Sequence, residues 1–392
     1  MHRPLAEASR SILHEVFDNG RVLDHTVAAA FRKNPKWGKR DRHFIADSVW
    51  EVVRWRRALG FVADSDEVAA LLAAMWQRKG YGIPDWWEWQ GATVDEMGSR
   101  ETLVEEQPRA VRESIPDWLD QVGAEELGND WSTVLSALNQ RAPVFLRSNT
   151  LKCSRDELLE WLEEEGVEAS EVEGLPDAVR LSGVLPKRLA RDGRFEIQDA
   201  GSQMIAPLVG AEPGMRVVDA CAGAGGKTLH LAALMEGKGE VLALDVDDRK
   251  LKQLSERAKR AGVRNVRVAK WSSSTLNEYR GWADCLLIDA PCSGLGTLRR
   301  QPDLKWRLSE PQLSKVKRTQ RKLLDHYPEL LRSGGRFVYS TCSVLPSENE
   351  RQVRQLLERD PRWTMEESVS VSPFETGFDG FYMARCQANS AS

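Results

Sequence analysis

The sequence predicts an α/β protein with a doubly wound, mostly parallel sheet in its C-terminal half, preceded by an all-α domain and a small α/β module. Three observations carry that reading. From Pro213 onward, strand-like and helix-like segments alternate, the pattern that builds a parallel sheet covered on both faces. From Leu5 to Leu59 apolar residues recur at helical spacing, and helical patterning continues to about residue 130. Between the two, after Arg141, short strands flank a single amphipathic helix. A chain of 392 residues exceeds one ordinary core, and the expected domains are 1–135, 136–200 and 201–392.

The opening helices are marked by Ile12, Leu13, Val16 and Phe17, then by Phe44, Ile45, Val49, Val52 and Val53, with Gly20 and Gly60 as stops. Trp76, Trp86, Trp87 and Trp89 surround the loop signal Gly80–Pro84 and read as core or interdomain packing, with a base-stacking surface as the alternative. In the middle module, Val144–Arg147 and Val179–Leu181 read as strands, and Ser154–Val167 as a capped amphipathic helix. The C-terminal alternation runs Met215–Ala220, a helix from Thr228, Glu240–Asp245, a helix from Asp248, Val266–Val268, Cys285–Asp289, Arg336–Ser340 after Gly334-Gly335, and Phe381–Arg385. The tail 388–392 is expected to fray, and no internal repeat is evident.

Composition excludes several classes. With 41% hydrophobic and 29% charged residues the chain is neither collagen-like nor wholly disordered. No run approaches the 18 or more apolar residues that cross a bilayer, and the charged start lacks a signal peptide's apolar core, so a soluble, cytoplasmic protein is expected. Six dispersed cysteines without a C-x-x-C pair fit reduced thiols, not a disulfide or zinc framework, and no metal is expected. Net charge is −4, yet residues 1–60 carry 12 Lys/Arg against 7 Asp/Glu while 61–130 carry 5 against 16. A polyanion could therefore be held by the basic ends and repelled by the acidic middle.

Chemistry is expected at the carboxyl ends of the parallel strands. The first leads into Asp219-Ala220-Cys221-Ala222-Gly223-Ala224-Gly225-Gly226-Lys227-Thr228, a small-residue turn whose backbone amides can approach a ligand closely at a helix N-terminus. It is not a P-loop, because Cys221 stands where the first glycine belongs. It is not a dinucleotide fingerprint either, since Thr228 takes the place of the third small residue. Asp245 ends the second strand, where an acid can take both ribose hydroxyls, so an adenosine-containing cofactor other than a dinucleotide is implied. Two further strands run into cysteines, through Asp289-Ala290-Pro291-Cys292-Ser293 and Ser340-Thr341-Cys342-Ser343. A free cysteine is ordinarily a buried hydrophobe, the reading kept for Cys153, Cys285 and Cys386, but these two fall at the ligand edge beside hydroxyl residues.

The segments DACAGAGGKT, DAPCSGLGT with RRQPDLKW, and YSTCSVLPSENE, together with GRFEIQDAGSQ upstream and GFDGFYMAR near the end, resemble the Sun/Fmu family of S-adenosylmethionine-dependent RNA cytosine-5 methyltransferases. The resemblance covers about residues 140–390, and Gly38–Leu59 is similar to the NusB-like RNA-binding domain of members that act on small-subunit rRNA. It implies a class I, Rossmann-like methyltransferase fold, with an RRM-like module at 136–200. It also implies transfer of a methyl group from S-adenosylmethionine to carbon 5 of a cytosine in structured RNA, with 16S rRNA the expected substrate, through a covalent adduct at carbon 6. Carbon 5 of cytosine is too weak a nucleophile unaided, and thiolate addition at carbon 6 makes the ring enamine-like. By resemblance Cys342 is the nucleophile, Cys292 assists release of the RNA, and Asp289 hydrogen-bonds the cytosine edge. The cofactor is expected along Cys221, Ala222, Gly223, Ala224, Gly225, Gly226 and Lys227, with Asp245 on the ribose and Asp289 close by.

Two departures from the family pattern stand out. Ala224 replaces a usual proline, which changes loop stiffness more than contacts, and Trp271 lies near where an acid usually meets the adenine. For RNA, the expected contacts are Arg299, Arg300, Lys305 and Arg307, with the run Lys315, Lys317, Arg318, Arg321 and Lys322 and the patch Arg32, Lys33, Lys36, Lys39, Arg40 and Arg42, read as a loop, as further candidates. A monomer is expected, without membrane partners. The alternatives are a tRNA cytosine-5 methyltransferase, a DNA cytosine methyltransferase, which has no need of a second cysteine, and a non-catalytic RNA-binding assembly factor.

Overall fold

The computed structural model describes residues 1–389, so the part of the tail expected to fray that follows Asn389 lies outside the described residues. Ala388 itself is strand and pairs with Trp363. The chain forms two compact units, Met1–Arg141 with Leu298–Glu310, and Ala142–Thr297 with the residues from Pro311 onward. The expected domain 201–392 is therefore interrupted: its segment 298–310 belongs to the helical unit.

The helical unit is built on Arg3–Phe17, Leu23–Lys33, Lys39–Arg54, Arg56–Ala63 and Val68–Arg78, followed by shorter helices to Leu138. Their apolar faces bury Leu13, Ile45, Val49, Leu59, Leu71 and Trp76 in one core. Trp76 is fully buried, donates from Nε1 to the Ser48 hydroxyl at 3.0 Å and packs edge-on to Trp87 at 4.8 Å between ring centroids. The tryptophan cluster is thus core packing, and the indole N–H groups of Trp76, Trp87 and Trp89 are each partnered as burial requires. Gly123 is dictated by another indole, since a Cβ there would lie 2.1 Å from the Trp131 ring.

The second unit carries two sheets. Strands β1 (Val144–Ser148), β2 (Ala169–Val172), β3 (Leu175–Leu181) and β4 (Phe195–Ile197) form an antiparallel sheet in the order β2-β3-β1-β4. Helix Arg155–Glu164 packs on it behind the expected capping box, in which Ser154 Oγ accepts from Glu157 N at 3.2 Å and Glu157 Oε2 from Ser154 N at 2.7 Å. The large sheet comprises β5 (Arg216–Asp219), β6 (Glu240–Asp245), β7 (Val266–Lys270), β8 (Ala283–Asp289), β9 (Leu331–Thr341), β10 (Trp363–Val371) and β11 (Phe381–Ala388), in the order β10-β11-β9-β8-β5-β6-β7. Strands β9 through β7 are parallel, and β11 and β10 close the edge antiparallel.

This is the doubly wound, mostly parallel sheet that the alternation predicts, in the class I methyltransferase architecture that the family resemblance implies. Leu286 and Phe337 bury into one core layer and Leu287 and Val338 into another, which is why these strands read as unbroken apolar runs. Chain order reverses between the neighbours β5 and β8, which opens a crevice at their carboxyl ends. Among the described residues, no helix is long and apolar enough to cross a membrane.

Candidate active site

A cavity of about 560 Å³ opens at that crevice, a size suited to a nucleoside-containing ligand. Ala220, Cys221, Ala222, Gly223, Ala224, Gly226 and Lys227 line it from the first strand end, Asp245 from the second, and Asp289, Cys292 and Cys342 from β8 and β9. Strand order explains the convergence. β8 and β9 pair in parallel with Asp289 opposite Ser340, so the loops that follow leave the sheet side by side. There the sulfur atoms of Cys292 and Cys342 stand 3.2 Å apart as free thiols.

The small-residue turn is braced from three directions. Ala222 N donates to Leu244 O at 2.9 Å, Arg147 Nη1 donates to Gly226 O at 2.7 Å, and Arg257 Nη1 donates to Ala224 O at 2.6 Å. Arg257 is itself fixed by Glu196 on β4 at 2.6 Å. That pair supplies rigidity at the position where the family pattern has proline. Gly225 does not line the cavity. It sits at φ +90° as the N-cap of helix Gly226–Leu234, and a Cβ would fall 2.5 Å from Leu254 Cγ.

Four charged groups set the electrostatics. Asp245 accepts Gly223 N and Asp247 N at 2.8 Å each, which locks its carboxylate while leaving further lone pairs toward the cavity. Lys227 Nζ donates to Asp289 Oδ2 at 2.7 Å, and Ser340 Oγ donates to Asp289 Oδ1 at 3.0 Å. Burial lowers the Lys227 pKa, but the Asp289 carboxylate outweighs burial and holds the ammonium above its usual value. Asp219, at the end of β5, is pushed up to about 7 by burial, although Thr228 Oγ1 donates to it at 2.7 Å. Cys292 is held well above the ordinary thiol range, first by its hydrogen bond to Cys342 and then by burial, and burial likewise raises Cys221.

The residues present fit S-adenosylmethionine. Asp245 is set for ribose hydroxyls, amides and small side chains line one wall, and Val246, Trp271, Leu323 and Tyr327 form an apolar slot. The Trp271 ring packs on Tyr327 at 4.3 Å, and its backbone N–H donates to Asp245 O at 3.0 Å. Sequence reasoning missed Val246, which directly follows Asp245 but carries no chemistry of its own, and Tyr327 and the brace formed by Arg147, Glu196 and Arg257, which join elements distant in sequence. Among the described residues, no three His, Cys, Asp or Glu side chains group where a metal ion could be held.

The basic residues after the proline-cysteine loop need correction. Arg299 and Lys305 are 4% and 1% exposed, too buried to meet phosphate. Arg299 Nη2 donates to Ala137 O at 2.9 Å, and Lys305 Nζ donates to Arg54 O at 2.8 Å and to Asn139 Oδ1 at 3.3 Å, so both are internal struts of the helical unit. Arg307 pairs with Asp303 at 2.9 Å, and Arg300 is half-buried. The patch from Arg32 to Arg42 is not one loop either: Arg32 and Lys33 end a helix, Lys39, Arg40 and Arg42 begin the next, and Lys36 alone lies between them. By contrast Lys315, Arg321 and Lys322 are exposed on helix Glu310–His326.

Comparison with known proteins gives the family. The sequence profile of the family described as 16S rRNA methyltransferase RsmB/F matches residues 207–387, and that of its ferredoxin-like domain matches 115–186. Ribosomal RNA small subunit methyltransferase B of Cronobacter sakazakii is 34% identical over 298 residues, 73% of this chain and 69% of that protein. The protein of the same name from Citrobacter koseri is 33% identical over 282 residues, 69% of this chain, and the match spans 65% of that relative's length. The crystal structure of PH0851 superposes with a TM-score of 0.80 over 98% of this chain and 99% of its own, at 23% identity, a likeness of fold. Fold, motifs and relatives agree that this chain belongs to the Sun/Fmu family of RNA methyltransferases, whose RsmB/F members it matches.

Proposed function

We propose that this chain transfers a methyl group from S-adenosylmethionine to carbon 5 of a cytosine in structured RNA, with 16S rRNA as the substrate, through a covalent bond between Cys342 and carbon 6. The observation that carries this reading is the pair of thiols 3.2 Å apart in the lining of a cavity that is also lined by the braced small-residue turn, Asp245 and the Lys227–Asp289 pair. The relatives' names, which specify small-subunit ribosomal RNA, support the choice of substrate.

Bound S-adenosylmethionine supplies an activated methyl group on a sulfonium sulfur. The protein's part is to make carbon 5 nucleophilic. The Cys342 thiolate adds to carbon 6, forming a carbon–sulfur bond and pushing electron density to carbon 5. Asp289, pinned by Lys227 and Ser340, presents its remaining lone pairs to the amino edge of the base, while the buried Lys227 ammonium opposes the negative charge the ring gains. Once carbon 5 holds the methyl group and the donor is left as S-adenosylhomocysteine, loss of the carbon 5 proton to water and breaking of the Cys342–carbon 6 bond restore the aromatic ring and free the thiolate. Cys342 enters as the nucleophile and Cys292 acts in release, the roles that the resemblance of the threonine-cysteine and proline-cysteine motifs implies.

Bisulfite sequencing of total RNA from cells with and without this protein tests the reaction and the substrate together. The expected result is one cytosine in 16S rRNA that resists conversion only when the protein is present. A protected cytosine confined to tRNA would change the substrate, and no protein-dependent cytosine anywhere would reject the reading.

A further inference from the structure

Resting on the proposed use of both thiols, we infer that Glu348 is a positioning residue whose buried carboxylate gathers the loops carrying Cys292 and Cys342 and holds the two sulfur atoms within reach of one base. Glu348 lies in the motif YSTCSVLPSENE, is fully buried, and is not itself among the residues lining the cavity. Its Oε1 accepts Ser293 N at 2.8 Å and Gln320 Nε2 at 3.0 Å, while Oε2 accepts Ser293 Oγ at 2.5 Å and the Ser343 hydroxyl. Ser293 follows Cys292 and Ser343 follows Cys342, so one carboxylate reaches the residue next to each thiol. Gln320 extends the clamp, since its Nε2 also donates to Pro291 O at 3.1 Å, on the other side of Cys292.

Four donors converge on two oxygens. Their hydrogen bonds meet the desolvation of this buried carboxylate. The neighbouring Asn349 provides a contrast: its side chain binds Thr341 Oγ1 and Ser343 O, at the end of β9 and just beyond it, and reaches only the Cys342 side. A backbone bond from Gly296 N to Cys342 O at 2.9 Å also joins the two loops, and Glu348 ties them through the serines next to the thiols. The two carboxylate oxygens differ in what they demand. Oε1 faces obligate donors, whereas Oε2 faces hydroxyls that can rotate to accept. Glutamine can therefore take this place with its carbonyl at Oε1 and its NH₂ toward the serines, and alanine cannot.

The test uses the full chain with Glu348→Ala and Glu348→Gln, and Cys342→Ala as a single-thiol baseline. Capture by phenylarsine oxide, which needs two adjacent thiols, reads the pair directly and requires no methylation. Methylation kinetics read its use, and thermal unfolding checks the fold. Glu348→Ala is expected to slow capture and lower kcat by about 100-fold, the scale on which small misplacements of reacting groups act, with KM for RNA unchanged. Glu348→Gln is expected to restore both to within about tenfold while unfolding at a similar temperature. Capture by Glu348→Ala at the rate of the unaltered chain overturns the inference. So does equal loss in both variants accompanied by unfolding, which would assign Glu348 to general stability. If the expected capture pattern appears in a protein that methylates no cytosine, the positioning role stands and the proposed reaction fails.

Discussion

Asp245 and Asp219 end adjacent strands of one sheet, yet their surroundings fit them for different tasks. Two backbone amides lock Asp245 in place with lone pairs left over, so replacing it by Ala should weaken S-adenosylmethionine binding by about 1.5–3 kcal/mol, measured by calorimetry, the range for hydrogen bonds to a charged group. Asp219 is buried, and its Oδ1 lacks a hydrogen-bond partner among the described residues. In the folded state it keeps its proton up to about pH 7, whereas in an unfolded chain it releases the proton near pH 4. Between those values the folded state binds the extra proton, so this residue's contribution is complete below about pH 4 and is lost as pH rises toward 7. Asp219→Asn cannot titrate and can keep the Thr228 bond through its carbonyl. Denaturant titrations of the variant should therefore lack a falling slope of at most about 1.4 kcal/mol per pH unit that the natural chain shows across that window. An unchanged slope would mean that Asp219 does not carry it.

At the scale of elements, the turn after β5 works because Gly225 allows a left-handed backbone against Leu254. Gly225→Ala should cost roughly 1–3 kcal/mol, from strain at positive φ together with the clash, and should weaken cofactor binding in parallel with the fall in melting temperature. Retention of both would show that the loop can relax. The same scale explains what was legible in the sequence. Strands β6 and β8 announce themselves because both faces are buried, so LALD and CLLID read as apolar runs ending in functional acids. Strand β10 was missed because, as an edge strand, it exposes most of TMEESVS and shows no buried face. Strands β2 and β4, of four and three residues, are too short for their pattern to register. The cavity-lining residues were legible wherever one short motif carries them. The brace of Arg147, Glu196 and Arg257 joins three elements far apart in the chain, and nothing local in the sequence signals it.

At the scale of the whole molecule, the helical unit takes back Leu298–Glu310 from the middle of the catalytic sequence. A cluster of cations that reads as an RNA contact is here partly structural. Lys305 is pushed well below the usual lysine range by burial, and its ammonium is spent on Arg54 O and Asn139. Lys305→Ala should destabilise the chain by about 2–4 kcal/mol through the cavity and the acceptors it leaves unpaired. Because the residue touches no phosphate in this account, the slope of log K for RNA against log salt should not change. A fall in that slope of about 0.7–0.9 would mean that Lys305 makes a phosphate contact after all.

The most direct test of the central claim, that Cys342 attacks the base and Cys292 releases it, is denaturing electrophoresis of the protein after incubation with its RNA and S-adenosylmethionine. Cys292→Ala should accumulate as an RNA-linked species, because the Cys342 bond forms and is not resolved. Neither Cys342→Ala nor the Cys292→Ala/Cys342→Ala double variant should form it. RNA-linked protein from Cys342→Ala, with none from Cys292→Ala, would make Cys292 the nucleophile and contradict the account.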